Sequence, residues 1–311
     1  MSDKKIILAN PRGFCAGVDR AIAIVDRALE KYGAPIYVRH EVVHNKYVVD
    51  DLKARGAIFI EEIKDVPDNS ILIYSAHGVP LSVRDEAENR NLQLIFDATC
   101  PLVSKVHVEI KHLHKSGFTI IMVGHKGHPE VEGTMGQVDG EIYLIENEDD
   151  IISLPIPHDI EKIAVVTQTT LSVDETKVII KKLQNKFINL KLPKNEDICY
   201  ATQNRQDAVK EMAKVCDILL VIGSKNSSNS NRLKELAENL GLKAYLIDFA
   251  YEIDKTWLNI ANIVGVTAGA SAPEVLVEGV LEKLKAYGYS VIETLTVVEE
   301  HMIFALPSGL R

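Results

Sequence analysis

The chain has 311 residues, 46% of them hydrophobic and 25% charged, the composition of a globular protein with a sizeable core, which excludes a disordered, collagenous or disulfide-scaffold chain. At roughly 150 residues per domain, the length allows about two domains. With 35 Lys and Arg against 44 Asp and Glu the formal charge is −9, leaving no cationic surplus to displace phosphate counterions, so sequence-independent nucleic-acid binding is not expected.

The chain opens Met1-Ser2-Asp3-Lys4-Lys5 and then gives only Ile6-Ile7-Leu8-Ala9 before Asn10-Pro11. It reads neither as a leader nor as part of an apolar run of about 18 residues, so a cytoplasmic location without membrane association is expected. Four cysteines, at 15, 100, 199 and 216, form no CxxC pair and are too few for a secreted framework.

IILANPRGFCAGVDRAIAIVDRALEKYG predicts a short strand, a turn around Cys15 and a helix with Val18, Ile22, Val25 and Leu29 on one face, stopping at Gly33. IYVRHEVVHNKYVVDDLKARGAIFI follows as strand, polar loop, helix and strand, and SAHGVPLS gives a further loop. LQLIFDATCPLVSKVHVEIKHLHKSG then repeats the first pattern around Cys100, with Leu102, Val106, Ile110 and Leu113 as its stripe, and TIIMVGHKGHPEVEGTMGQVDGEIYLI and VTQTTLS repeat the second. A third round runs DICYATQNRQDAVKEMAKV around Cys199, then ILLVIGSKNSSNSNRLKELAENLGLKAYLI and VTAGASAPE. In its helix Val209, Met212, Ala213 and Cys216 share a face, so Cys216 is expected in the core.

The register nearly repeats. His44 lies 29 residues after Cys15, His128 28 after Cys100 and Ser228 29 after Cys199, while His77, Thr169 and Ser271 open the later loops at 62, 69 and 72. Strands alternating with helices predict an α/β fold of parallel sheets whose ligands bind beyond the carboxyl ends of the strands. The expected architecture is three similar α/β lobes in a pseudo-threefold trefoil, residues 1–97, 98–196 and 197–285, with a C-terminal strap over 286–311. Cys15, Cys100 and Cys199 would then meet at the centre.

Three thiolates, one per lobe, suit an iron-sulfur cube with one iron left open, since such a cube normally takes four cysteines. Two alternatives stand beside it: a zinc site closed by His44, His77 or His128, and plain packing at lobe junctions. The loops SKNSSNSNR, TAGASAPE and TQTTLS are rich in hydroxyl and amide donors just ahead of helices, where free N–H groups favour an anion. Helix capping explains one Ser or Thr per loop but not Ser227, Ser228, Asn229 and Ser230 in succession. No GxxxxGK loop is present, so ATP and GTP are not expected. His44, His77 and His128, at matching loop positions, can donate to a phosphate; His40, His107, His112, His114 and His158 read as structural, and His125 is undecided.

PRGFCAGV, RHEVVHN, SAHGV, DATCPLV, GHKGHPEVEGTMG, TQTTLS, CYATQNRQ, GSKNSSNSNRL and TAGASAPE together, in this order over essentially the whole chain, resemble the 4-hydroxy-3-methylbut-2-enyl diphosphate reductases, which catalyse the last step of the methylerythritol phosphate route to isoprenoids. The resemblance implies a 4Fe-4S cluster on Cys15, Cys100 and Cys199 and a trefoil of three α/β lobes. It also implies diphosphate binding by His44, His77, His128, Ser227, Ser228, Asn229 and Ser271, with Glu130 and Thr169 at the acid and substrate-hydroxyl positions. Electrons would come from ferredoxin or flavodoxin, since no nicotinamide or flavin fingerprint is present, and the chain is expected to act as a monomer on an isoprenoid diphosphate. The rival readings are a trilobed cluster dehydratase resembling quinolinate synthase and a non-catalytic electron carrier or redox sensor.

Overall fold

The computed structural model describes residues 4–193, 196–259 and 261–311; Met1, Ser2 and Asp3 of the opening segment lie outside them. Strand β1 (Lys5–Asn10) leads through Cys15 into helix α1 (Ala16–Tyr32), followed by β2 (Ile36–Arg39), α2 (Lys46–Ala54), β3 (Ala57–Ile60), β4 (Ile71–Tyr74), α3 (Leu81–Glu88) and β5 (Leu94–Asp97). Cys100 opens α4 (Pro101–Lys115), then β6 (Thr119–Val123), α5 (Pro129–Met135), β7 (Ile142–Ile145), α6 (Asp150–Ser153), β8 (Ile163–Thr167), α7 (Val173–Lys186) and β9 (Leu190–Lys191). Cys199 opens α8 (Tyr200–Met212), then β10 (Ile218–Ile222), α9 (Ser228–Asn239), β11 (Lys243–Ile247), β12 (Ile263–Ala268), α10 (Glu274–Ala286) and β13 (Val291–Thr296).

Three parallel sheets result, ordered β3-β2-β4-β5, β7-β6-β8-β9 and β11-β10-β12-β1-β13. Strands buried on both faces need uninterrupted apolar runs, and IAVVT of β8 and ILLVI of β10 are buried at every position. The helices contribute one face each. Val106, Ile110 and Leu113 of α4 pack with Ile120, Met122 and Val166, and Val209 and Met212 of α8 with Ile7, Leu219 and Val221. On α1 the fully buried residues are Ala21, Ile24, Val25 and Ala28; only Val25 belongs to the expected stripe, the buried face lying one residue earlier along the helix than the spacing implied.

The hydrogen bonds redraw one expected boundary. Strand β1, expected to open the first lobe, pairs with β12 and β13. β2, β6 and β10 are each flanked by the next two strands, and β4, β8 and β12 each carry a further strand on their other side; β5 and β9 fill that place from within the expected lobes 1–97 and 98–196, while β1 fills it beside β12. An open edge at β12 would leave a row of unpaired amides and carbonyls, which β1 satisfies. Part of the expected strap is likewise β13, the edge strand beyond β1.

Close contacts divide the chain into two compact units, one of Met1–Asp19, His44–Asp51 and Tyr200–Ile303, the other of Arg20–Val43, Leu52–Cys199 and Phe304–Arg311. Among the described residues no helix is long and apolar enough to cross a membrane. Cys216 lies just past the end of α8, its amide still donating to Met212 O at 2.9 Å, and packs against the core between sheet and helix as a half-buried residue.

Candidate functional site

In the three sheets β2, β6 and β10 have β3, β7 and β11 on one side and β4, β8 and β12 on the other, so the strand order reverses between β2 and β4, between β6 and β8 and between β10 and β12. Loops leaving such a pair diverge and open a crevice for ligands. The expected site residues stand after these strands: His44 and His77 after β2 and β4, His128 and Thr169 after β6 and β8, Ser227 and Ser271 after β10 and β12.

The cysteines repeat a second relationship. Each amide is held by the loop after the third strand: Cys15 donates to Ala270 O at 3.2 Å, Cys100 to Ala76 O at 2.9 Å and Cys199 to Thr169 O at 3.0 Å. The accepting residue is Thr169 itself, or the residue before His77 or Ser271. Cys15 and Cys199 immediately precede α1 and α8, and Cys100 caps α4, with Pro101 at the first helical position. Cysteines at helix amino termini face a positive dipole end that favours the thiolate.

In the second unit, Glu130 is 3% exposed. Its Oε1 accepts from the Thr169 amide at 2.6 Å and its Oε2 meets Thr169 Oγ1 at 3.0 Å. Burial drives its carboxyl up to about 7 although both Thr169 bonds favour the anion. The neighbouring Glu132 is exposed, so the two acids of the string part company. His128 caps α5, and its Nδ1 accepts from the Glu130 amide at 3.1 Å, which puts the ring proton on Nε2 when the imidazole is neutral. The His128 ring stands edge-on to His77, centroids 5.8 Å apart.

In the first unit, Ser227 caps α9, accepting from the Ser230 amide at 3.3 Å, and Ser230 Oγ lies 3.0 Å from Ser227 Oγ. Asn229 is 4% exposed, and neither its Oδ1 nor its Nδ2 has a partner among the described residues. A buried amide without partners costs stability unless something else satisfies it. Glycines make room for the neighbouring Ser230: a Cβ on Gly269 would stand 2.0 Å from Ser230 Oγ and 3.4 Å from Asn229 Nδ2, and one on Gly223 2.2 Å from Ser230 Oγ. Ser271 Oγ donates to the His44 carbonyl at 2.8 Å. Ser228 is the half-buried first residue of α9.

The donor chemistry of the cysteines fits a metal cluster: none is in a disulfide, three share one placement, and burial raises Cys15 against the pull of Arg205, so a nearby cation would be needed to hold the thiolate. Cys216 differs, its thiol pushed up to about 12 by burial. Cys15 belongs to the first unit and Cys100 and Cys199 to the second; among the described residues no three His, Cys, Asp or Glu side chains stand together ready to hold a metal ion.

Periodicity and spacing did not mark Arg205. It is fully buried on α8, ion-paired with Glu300 at 3.0 Å, and Asn204 donates to the same carboxylate at 2.9 Å. Nor was His107, read as structural, expected to be buried at 5% exposure and held down to about 4 by desolvation. His125 is fixed through its amide, which donates to Gln168 Oε1 at 3.0 Å.

Three parallel sheets, and three helices each headed by a cysteine, define a three-sheet α/β protein. The chain belongs to the LytB protein family, whose profile matches residues 6–285. It is 62% identical over 308 residues to the 4-hydroxy-3-methylbut-2-enyl diphosphate reductase of Chromobacterium violaceum and 58% identical over 311 to that of Acinetobacter baumannii, covering 99% of this chain and 98% of each relative. The solved structure of the E-1-hydroxy-2-methyl-but-2-enyl-4-diphosphate reductase from Plasmodium falciparum is similar with a TM-score of 0.95 and 38% identity, over 99% of this chain and 97% of that one.

Proposed function

We propose that this chain is a 4-hydroxy-3-methylbut-2-enyl diphosphate reductase. It takes (E)-4-hydroxy-3-methylbut-2-enyl diphosphate, two electrons and two protons, breaks the C4–O bond, and gives water with isopentenyl and dimethylallyl diphosphates. The observation that carries the reading is the buried Glu130–Thr169 pair attached to the Cys199 amide, in a chain so similar to reductases of that name.

Cys15, Cys100 and Cys199 would hold a 4Fe-4S cluster, which when bound supplies electrons and a Lewis-acidic iron. His44, His77, His128, Ser227, Ser228, Asn229 and Ser271 bind the diphosphate, whose oxygens accept from ring N–H, hydroxyl and amide donors. Anchoring the tail orients the C4 hydroxyl. Glu130, with a carboxyl at about 7, is available in its protonated form near neutral pH, and Thr169 Oγ1, in contact with its Oε2, links it to the substrate hydroxyl. Ferredoxin or flavodoxin delivers the electrons to a cytoplasmic monomer.

The test is anaerobic turnover of the diphosphate alcohol by cluster-loaded protein and a reduced dye, with both products quantified. Dye oxidation coupled to their appearance is expected. A loaded protein that left the alcohol intact would refute the assignment, and turnover of a dicarboxylate condensation product instead would favour the dehydratase.

A further inference from the structure

Cys15, Cys100 and Cys199 each open a helix, and each of these helices carries a cation five or six residues further on: Arg20 on α1, Lys105 on α4 and Arg205 on α8. Every one of these cations reaches backbone just ahead of a different cysteine. Arg20 donates from Nη1 to Thr99 O at 3.0 Å and from Nη2 to Asp97 O at 3.4 Å, on the approach to Cys100. Lys105 donates from Nζ to Glu196 O at 3.1 Å and stands 3.8 Å from Asp197 Oδ1, on the approach to Cys199. Arg205 donates from Nη2 to Gly13 O at 2.7 Å and to Phe14 O at 3.3 Å, on the approach to Cys15. The order is cyclic: the helix after one cysteine grips the chain entering the next.

Hydrogen bonds from a charged donor are stronger than those between neutral groups, and a guanidinium grips two carbonyls in fixed geometry. Burying Arg205 completely is tolerable only because its nitrogens are taken up by Gly13, Phe14, Ala201 and Glu300. We propose that Arg20, Lys105 and Arg205 are positioning residues, each fixing the backbone of the next cysteine in the cycle so that three thiols from distant stretches are presented to one cluster. The cluster part rests on the function proposed above; the grip on each cysteine does not.

The experiment uses the full-length chain in two states. In metal-free protein, the alkylation rate of each cysteine by iodoacetamide is followed by peptide mass spectrometry in Arg20→Gln, Lys105→Met and Arg205→Lys, the last keeping a charge beside Glu300 so that the fold survives. The expected pattern is a rise of roughly three- to tenfold, the factor one lost hydrogen bond makes in local opening, at Cys100, Cys199 and Cys15 respectively, with the other two unchanged. Arg90→Gln is the control, because Arg90 also holds carbonyls, those of Lys64 and Val66, but away from any cysteine. Unchanged rates, a joint rise at all three cysteines, or the same rise in Arg90→Gln would overturn the proposal. In cluster-loaded protein the same three variants should surrender iron to a chelator faster than the parent, with wild-type rates counting against it. A parent that takes up no cluster would refute the proposed function, while the alkylation pattern would still decide whether the cations hold the cysteines.

Discussion

The carbonyl of Thr169 accepts the amide of Cys199 at 3.0 Å, while the amide and hydroxyl of the same threonine both bind Glu130. One residue therefore ties a thiol and a buried acid to the end of β8, a far more rigid mount than a free loop. The acid can shift only if the cysteine's support shifts with it.

From this follows a turnover prediction. Glu130→Gln keeps the shape and removes the acid, so cluster-loaded protein should still bind substrate yet turn over about 10²- to 10⁴-fold more slowly. The exposed Glu132, changed to Gln, should alter turnover far less. Single-turnover kinetics checks both, and near-normal chemistry in Glu130→Gln would remove it from the proton path.

The pH dependence has a definite sign. A carboxyl raised to about 7 from 4.5 must be protonated to act as an acid, so turnover should fall as pH rises through about 7. Between those values the folded chain binds more protons at Glu130 than the unfolded chain, so this group's contribution to stability is full below about 4.5 and is lost as pH rises through about 7. Urea titrations over that range should show a shallower decline in Glu130→Gln, and an unaltered slope would contradict the burial argument.

Cys15→Ser, Cys100→Ser and Cys199→Ser should each fail to retain iron, because an alcohol does not replace a soft thiolate. Cys216→Ala should keep its iron and lose about 1 kcal/mol of stability. Anaerobic iron and sulfide counts separate the cases, and bleaching of Cys216→Ala alone would defeat the ligand assignment.

Asn229→Ala, Ser227→Ala and Ser271→Ala should weaken binding of the diphosphate products as well as the substrate, by roughly 1.5 to 3 kcal/mol, the value of a hydrogen bond to a charged group. Calorimetry with isopentenyl diphosphate is the measurement. Slower reduction with intact product affinity would give these loops another role.

Gly269→Ala would drive its Cβ to 2.0 Å from Ser230 Oγ, an overpacking that costs about 1 to 3 kcal/mol. Adding Ser230→Ala removes the obstructing oxygen and should restore much of the loss. Thermal melts of the single and double variants decide it; no recovery in the double would place the strain elsewhere.

Much of this was legible in the chain itself. The recurrence of cysteine, polar loop and apolar strand at matched spacing reflects parallel strands buried on both faces, and three parallel sheets are what the chain forms. What spacing could not show was the partner of β1, since IILA would fill the same place in any parallel sheet and pairing depends on which edge lies open. Glu130 and Glu132 were indistinguishable as first-turn acids; burial beside Thr169 separates them. Arg205 escaped notice because a charged residue in a polar helical run reads as solvated, and only the fold surrounds it with carbonyls.

The place of β1 also constrains how the chain is made. Lys5–Asn10 precedes every other described strand, yet it is flanked by β12 and β13, which follow all the others. At roughly 5–20 residues per second on the ribosome, the nascent Ile6-Ile7-Leu8-Ala9 segment waits tens of seconds for its neighbours. Until then both of its native hydrogen-bonding edges lack their partners, so its pairing is completed only after the rest of the sheet has been made.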